Sequence, residues 1–476
     1  MASPTEFDAV VVGSGPNGLV AAAELAGAGW RVLVLEAASE VGGGLRSAEL
    51  TLPGFVHDVC SAIHPLGIAS PAMRALPLEA HGVEWVQPEL ALAHPLDGGR
   101  AAILERSVAD TAARLGTDGR RYDRLMSPFV RGGHDLVDSL MSPLQLPPRH
   151  PLLLARYGAA GIWPATWVNR GFEGEEARAL FAGLAGHSIL DLNNPITAGF
   201  GLFLGMLGHF VGWPMARGGS GRIANALAAI ITERGGQIEC DHEVTSLDDL
   251  PPARATLLDL TPQQIVRIAG PRLPSRYARS LRRYRYGPGV FKVDWALDGP
   301  VPWTNPDVRR AGTVHVAGTA EEVVDSERTV ARGRYSHKPY VLFAQQSVAD
   351  PSRAPDGQHT AWAYCHIPNG GTLDRTEVIE RQIERFAPGF RERILATHSM
   401  GTSAMEAHDA NYIGGDINGG RADLRQFAFR PVASAHPWAT PVDGLYLCSS
   451  STPPGGGVHG MCGHSAAQLV LRRNRR

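Results

Sequence analysis

The sequence predicts an α/β protein in two interleaved parts. One is a parallel βαβ sheet assembled from both ends of the chain, and the other an α+β part of helices and antiparallel strands from the middle. Three observations predict it. The apolar run at 8–13 meets a glycine-rich turn, Gly13-Ser-Gly15-Pro16-Asn17-Gly18, that opens a helix-forming stretch. A second strand and glycine-rich turn, from Gly444 to Gly463, closes the chain. Between them, segments such as Val290-Phe-Lys-Val-Asp-Trp-Ala and Tyr340-Val-Leu-Phe-Ala-Gln are strand-like and separated by loops, which suggests antiparallel pairing.

Each element follows from local chemistry. Residues 8–13, apolar after Asp8, show no alternation, as in a strand buried on both faces. Residues 17–28 read as a helix and Arg31 to Glu36 as the second strand, which completes one βαβ unit. From about 70 to 210, helical pieces alternate with proline-rich loops such as Ser142 to Pro151. Ile196 to Trp213 carries no formal charge apart from His209 if protonated, and holds five glycines. It is near the minimum for a membrane span, yet its glycines favour a buried, closely packed helix over a lipid-dipping surface or the wall of an apolar channel. An amphipathic helix from Arg222 to Arg234 is ended by Gly235-Gly236, with a strand pattern following through Val244. Ala255 to Pro262 reads as a further sheet strand.

Bulk properties narrow the function classes. A chain of 476 residues has room for two or three units at about 150 residues each. Hydrophobic residues make up 44%, charged residues 19%, and the net charge is −2, which gives no reason to expect a nucleic-acid partner. Only Lys292 and Lys338 are lysines; the rest of the positive charge is arginine, which reads as compositional bias. The five cysteines are scattered with no CxxC pair, so neither a zinc site nor a redox disulfide is supported. Met1 to Phe7 lacks a basic and an apolar signal region, so a cytoplasmic location is expected. The arginine-rich tail from Leu471 to Arg476 suits a helix C-terminus.

The first turn carries chemistry. Gly13, Gly15 and Gly18 fit G-x-G-x-x-G after a strand and before a helix: the first allows the tight turn, the second lets backbone approach a pyrophosphate, and the third packs helix on strand. Helix N–H groups then face the phosphate charge. Glu36 lies 18 residues beyond Gly18, near the spacing of an acid that bonds ribose hydroxyls.

After Glu36 comes Gly42-Gly43-Gly44-Leu45-Arg46, and the chain closes with Tyr446-Leu-Cys-Ser-Ser-Ser-Thr-Pro-Pro-Gly-Gly-Gly-Val-His-Gly-Met. With Pro214-Met-Ala-Arg-Gly-Gly-Ser-Gly and Asp416-Ile-Asn-Gly-Gly before Phe429-Arg-Pro431, these motifs resemble phytoene-desaturase-like FAD-dependent oxidoreductases. Those belong to the amine-oxidase branch of the glutathione-reductase-like flavoproteins, close to the pyridine nucleotide-disulfide oxidoreductase domain-containing protein 2 group. The resemblance spans nearly the whole chain. It implies a discontinuous FAD-binding Rossmann-like domain at 1–75, 214–270 and 415–476, and a substrate domain at 76–213 and 271–414. It implies FAD held by Gly13, Gly15, Pro16, Asn17, Gly18, Glu36, Gly43, Gly44, Leu45 and Arg46 at one end. At the other end stand Ser450, Gly457, Val458 and Met461, with Val244 pairing its backbone with the adenine. Gly455 to Val458 is expected to open a helix whose N–H groups face the flavin.

Two departures bear on function: the stretch from Val244 to Ala255 is short, and no second strand-borne GxGxxG offers a nicotinamide site. Electrons would leave to oxygen, a quinone or another acceptor. The implied activity is dehydrogenation or saturation of carbon–carbon bonds in a lipophilic, isoprenoid-like molecule, with hydride passing to or from flavin N5. A redox-neutral flavin-dependent isomerase or cyclase is the alternative, and a flavin-bound interaction protein a third reading. Peripheral membrane contact is a further expectation. Of His57, His64, His459 and His464, predicted near the flavin, His64 and His459 are the candidate bases. His57-Asp58 resembles a triad fragment but lacks a G-x-S-x-G elbow.

Overall fold

The structure is a computed structural model and describes residues 6–143 and 147–474. Parts of three sequence readings (the N-terminus, the 142–151 loop and the arginine tail) lie outside the described residues. A five-stranded, all-parallel sheet has the order Leu445–Leu447, Ala255–Leu258, Ala9–Val12, Val32–Leu35, Gln237–Glu239. Ala9–Val12 is buried on both faces, as its unbroken apolar run dictates. Helix Pro16–Gly27 packs against both the C-terminal helix Met461–Arg473 and helix Gly221–Glu233. The strand expected to reach Val244 ends at Glu239, because Asp241 adopts φ +54° and turns the chain out of the sheet. Val244 lies beyond that turn, buried under the sheet beside Val12 and Leu35.

The second sheet has seven strands in the order Ile394–Met400, Gly289–Leu297, His359–Ile367, Val341–Ala344, Ala311–Val316, Leu90–Pro95, Ala101–Leu104. It is mixed rather than purely antiparallel: Ala311–Val316 runs parallel to Leu90–Pro95, because a long excursion separates them. Period-2 alternation splits this sheet into two faces. Val341, Phe343, Ala363 and Cys365 join a core on one side, while Leu342, Ala344, Trp362 and Tyr364 face the parallel sheet and the cavity described below.

The glycine-rich segment forms helix Thr197–Phe210, about 21 Å long, short of a bilayer core of about 30 Å. Its glycines let neighbours close in: a Cβ on Gly205 would meet Met126 and one on Gly208 would meet Leu104. Among the described residues, no helix is long and apolar enough to cross a membrane.

Candidate cofactor and substrate site

The strand Ala9–Val12 delivers the chain into Gly13, whose φ of +96° favours glycine. Gly15 is the N-cap of the first helix and Pro16 its first residue, where a missing N–H costs nothing. At Gly18 a Cβ would lie 2.2 Å from the Gly13 carbonyl, so helix and strand touch through glycine. Gly42 N donates to Ser14 O at 3.0 Å, and a Cβ on Gly43 would lie 3.2 Å from Gly15 Cα. Two glycine loops therefore stand back to back and present backbone to the cleft.

Glu36 ends the second strand beside this loop. Its carboxylate accepts from Ser14 N at 2.8 Å, Ser14 Oγ at 2.6 Å and Ala38 N at 2.9 Å. Arg46 is buried rather than solvated: its Nη2 lies 3.3 Å from Glu36 and its Nη1 donates to His408 O at 2.9 Å. Arg46 Nε has no partner.

The C-terminal motif arrives on the same cleft. Asn17 Nδ2 donates to Ser450 Oγ at 3.3 Å. A Cβ on Gly463 would lie 1.9 Å from Asn17 O, so the last helix packs directly on the first. The helix begins at Met461, not at Gly455 to Val458. Gly455, Gly457 and Gly460 have φ of +117°, +128° and +67°, which hold the chain out of the right-handed helix until then.

A cavity of about 270 Å³ lies between these parts. Gly15, Asn17, Gly44, Ser450, Gly457 and Val458 form one wall; Thr313, Leu342, Ala344, Trp362 and Tyr364 form the opposite one. His187, Leu204 and Trp213 close an end. The cleft fits an elongated dinucleotide on the donor chemistry alone: its long wall is glycine backbone and small polar side chains from both chain ends. Met461 and Leu45 are buried behind that wall.

The expected bases separate here. His459 accepts from Met461 N through Nδ1 at 3.0 Å and bonds Gly455 O through Nε2 at 3.1 Å, so both ring nitrogens serve the backbone at the helix start. His64 lines the cavity; its Nε2 lies 2.8 Å from Ser220 Oγ and its Nδ1 is unpartnered. Burial pushes both imidazoles down to about 4. Asp58 faces Arg353 at 3.0 Å and Ser220 N at 2.7 Å, so no His57–Asp58 pair forms. His464 pairs with Glu24 across the two terminal helices.

Two groups were missed. Asp259, at the end of its strand, accepts from Gly18 N at 2.8 Å and lies against all three fingerprint glycines. Burial raises it to about 8, with Asp409 and Glu36 adding repulsion. His187 enters the cavity wall after helix Glu175–Gly186 with its Nε2 2.9 Å from His315 Nε2, and burial lowers it to about 3. Neither has a sequence motif; each reaches the cavity only by long-range placement.

Residues 11–76 match the family of NAD(P)-binding Rossmann-like domains. The chain is 26% identical to pyridine nucleotide-disulfide oxidoreductase domain-containing protein 2 of Rattus norvegicus, over 98% of this chain and 94% of that one. It is also 26% identical to phytoene dehydrogenase of Streptomyces griseus, over 81% of this chain and 77% of that one. An oxidoreductase structure from Methanosarcina mazei covers 98% of this chain and 99% of its own, with TM-score 0.64 at 18% identity. Putrescine oxidase bound to putrescine covers 99% of each chain, with TM-score 0.63 at 17% identity. At these identities the solved structures speak for the fold, which is amine-oxidase-like.

Proposed function

We propose that this chain, an oxidoreductase of the phytoene-desaturase-like family, holds FAD along the cleft between its two ends and oxidises or saturates carbon–carbon bonds of a lipophilic molecule. The observation that carries the cofactor reading is the meeting of the two glycine-rich motifs, tied by Asn17 and Ser450. Gly15 and Gly44, on the cavity wall, would offer backbone to the diphosphate, with Gly13, Gly18 and Gly43 shaping the loops behind them, and Arg46 would offer its unpartnered Nε. A ribose hydroxyl would replace Ser14 Oγ on Glu36, since both donate to the same carboxylate. Gly457 and Val458 would lie along the ring, with Met461 behind and Val244 beneath the adenine end.

Bound FAD supplies the two-electron acceptor or donor for hydride at substrate carbon. The chain supplies the rest. Leu204, Trp213, Leu342 and Trp362 give the cavity apolar surface against which a lipophilic chain can lie and from which water is excluded. His187, neutral and fixed at Nε2 by His315, is the group placed to take the proton that leaves the neighbouring carbon; His64 is the second candidate. With a single dinucleotide motif, electrons would pass to oxygen, a quinone or another acceptor.

The test is anaerobic mixing of purified holoprotein with lipophilic candidate substrates. Loss of the oxidised flavin band is expected; conversion with that band unchanged would assign a redox-neutral isomerase instead, and a purified protein with no flavin band would overturn the reading. His187→Gln is expected to slow band loss at least tenfold with flavin content unchanged, as general-base catalysis is worth roughly a hundredfold or more.

A further inference from the structure

Behind the cavity, one buried layer holds polar atoms with no partner among the described residues: His94 Nδ1, His315 Nδ1, His366 Nε2 and Glu327 Oε1. Strand register creates the layer. Val314 pairs with Ala93 and His315 with Leu342, so His315 and His94 stand side by side on the face of the mixed sheet that looks to the cavity. Both are fully buried. Helix Glu175–Gly186 covers them and ends at His187, whose Nε2 lies 2.9 Å from His315 Nε2. Gly183, one turn earlier, lets that helix come close: a Cβ on it would lie 2.4 Å from His315 Nδ1 and 2.8 Å from His94 Nδ1. Both nitrogens thus lie within 2.8 Å of a single point, a separation that one bridging water spans. On its far side, His94 Nε2 bonds Gly318 O at 2.7 Å.

A carbonyl only accepts, so His94 carries its hydrogen on Nε2 and leaves Nδ1 bare. A water that donates to His94 Nδ1 can accept from His315 Nδ1, which leaves His315 Nε2 bare to accept from His187 Nε2. His187 then keeps a bare Nδ1. Charge favours the far end of this chain. Burial lowers His187 to about 3 but His94 only to about 4, because the Gly318 carbonyl and the Glu322 carboxylate favour protonated His94. His315, between them, is pushed well below its ordinary value by burial and by both neighbours. Glu322 itself pairs with Arg385 at 3.0 Å and Lys338 at 3.5 Å. The other titratable groups packed on the layer do not continue the chain. Tyr340 donates its Oη to Gly183 O at 2.7 Å, and on its other side His366 and Glu327 hold one another at 2.8 Å. The imidazoles do not make a metal site, since among the described residues no three ligating side chains converge.

We propose that His187, His315 and His94 form a water-bridged relay that carries the proton released by the substrate from the cavity to His94. A proton taken by His187 Nδ1 frees the hydrogen on His187 Nε2 to pass to His315 Nε2. The hydrogen on His315 Nδ1 passes to the water, and one of the water's hydrogens to His94 Nδ1. Each member gains one proton and gives one up except His94, which ends as an imidazolium beside Gly318 O and Glu322; no electrons move. The reverse sequence returns the proton to the cavity. The relay rests on the reading of His187 as the group that takes the substrate's proton, and His315 and His94 act through it as positioning residues. Its benefit is electrostatic: positive charge leaves the cavity as the substrate carbon loses hydride, where a cation kept on His187 would oppose that loss.

Nitrogen-15 NMR of the histidines in the holoprotein at pH 7 reads the relay without any reaction, with signals assigned through His94→Gln and His315→Gln. It is expected to show His94 protonated at Nε2, His315 at Nδ1 and His187 at Nε2. A hydrogen on His315 Nε2 would reverse the chain and overturn the proposal. A kinetic arm follows anaerobic loss of the oxidised flavin band in mixtures of light and heavy water. The parent should show a curved dependence of rate on deuterium fraction, because several relay hydrogens move together. His94→Gln keeps a donor for Gly318 O but cannot hold a proton. It is expected to slow band loss at least tenfold and to make that dependence linear, with flavin content, melting temperature and substrate affinity unchanged. Glu322→Gln, which removes the negative charge beside His94 from outside the layer, should slow band loss by a smaller factor. Parent-like rates and curvature in either folded variant would overturn the relay. Absence of band loss in the parent would overturn the carbon–carbon reading, while the tautomers, read without substrate, still decide the relay.

Discussion

Asp259 puts a carboxyl against the backbone of Gly13, Gly15 and Gly18, where an anionic diphosphate would sit. Its folded value of about 8 against an ordinary 3.8 means that the folded protein binds an extra proton between those values. Its contribution to stability is therefore full below about pH 4 and is lost as pH rises through 8. The same ionisation sets a carboxylate beside the phosphate loops, so FAD affinity should fall above about pH 8. Asp259→Asn keeps an acceptor for Gly18 N, and a fluorescence titration of FAD at pH 7 and 9 should find the fall only in the parent. Lys292 shows a different residue-scale rule. One of only two lysines in the chain, it is buried against Asp294 and lies 5.6 Å over the Trp362 ring. Lys292→Met strands a buried carboxylate and should cost about 3–5 kcal/mol in denaturant unfolding, much of it regained with Asp294→Leu. The fingerprint glycines were legible because backbone geometry demands them locally. Asp259, His187 and Lys292 were not, since a lone acid, imidazole or lysine has no spacing that announces it.

Helix Glu175–Gly186 covers the cavity-facing side of the mixed sheet through an imidazole-rich layer. Gly183 makes the layer fit: a Cβ there would lie 2.4 Å from His315 Nδ1 and 2.8 Å from His94 Nδ1. Burial pushes His94, His64 and His209 down to about 4 and His187 to about 3, from an ordinary 6.5. Each is neutral in the fold, so its contribution is present above pH 6.5 and is lost as pH falls towards 4. Each such group costs about 1.4 kcal/mol per pH unit in that window, so melting temperature should drop steeply between pH 6.5 and 4.5; a flat profile there would contradict the neutral layer. At this scale the sequence was a good guide where periodicity is strong. The amphipathic helix read at 222–234 forms at Gly221–Glu233, and the strand read at 290–296 forms at Gly289–Leu297. It misread the start of the last helix, where glycine dihedrals rather than composition set the boundary. It also could not anticipate the parallel pairing of Ala311–Val316 with Leu90–Pro95, which depends on topology.

Across the whole molecule, the parallel sheet takes strands from three separated stretches, and the mixed sheet is laced between them. The cleft exists only when all of these close together: its glycine wall needs residues 13–18, 42–46 and 449–458, and its opposite wall strands from 313 to 364. The two ends were legible as matching motifs because each is a strand and glycine-rich turn that brings backbone to the same cleft. The apolar wall was not, because Leu342, Trp362 and Leu204 look like any core residues until the sheets face each other. The central claim, one FAD held from both ends, is tested most directly by titrating FAD into deflavinated parent, Gly15→Val and Val458→Trp proteins, each checked for an unchanged apoprotein melting temperature. The account predicts that filling either end lowers affinity at least a hundredfold; parent-like binding by a folded Val458→Trp protein would contradict it.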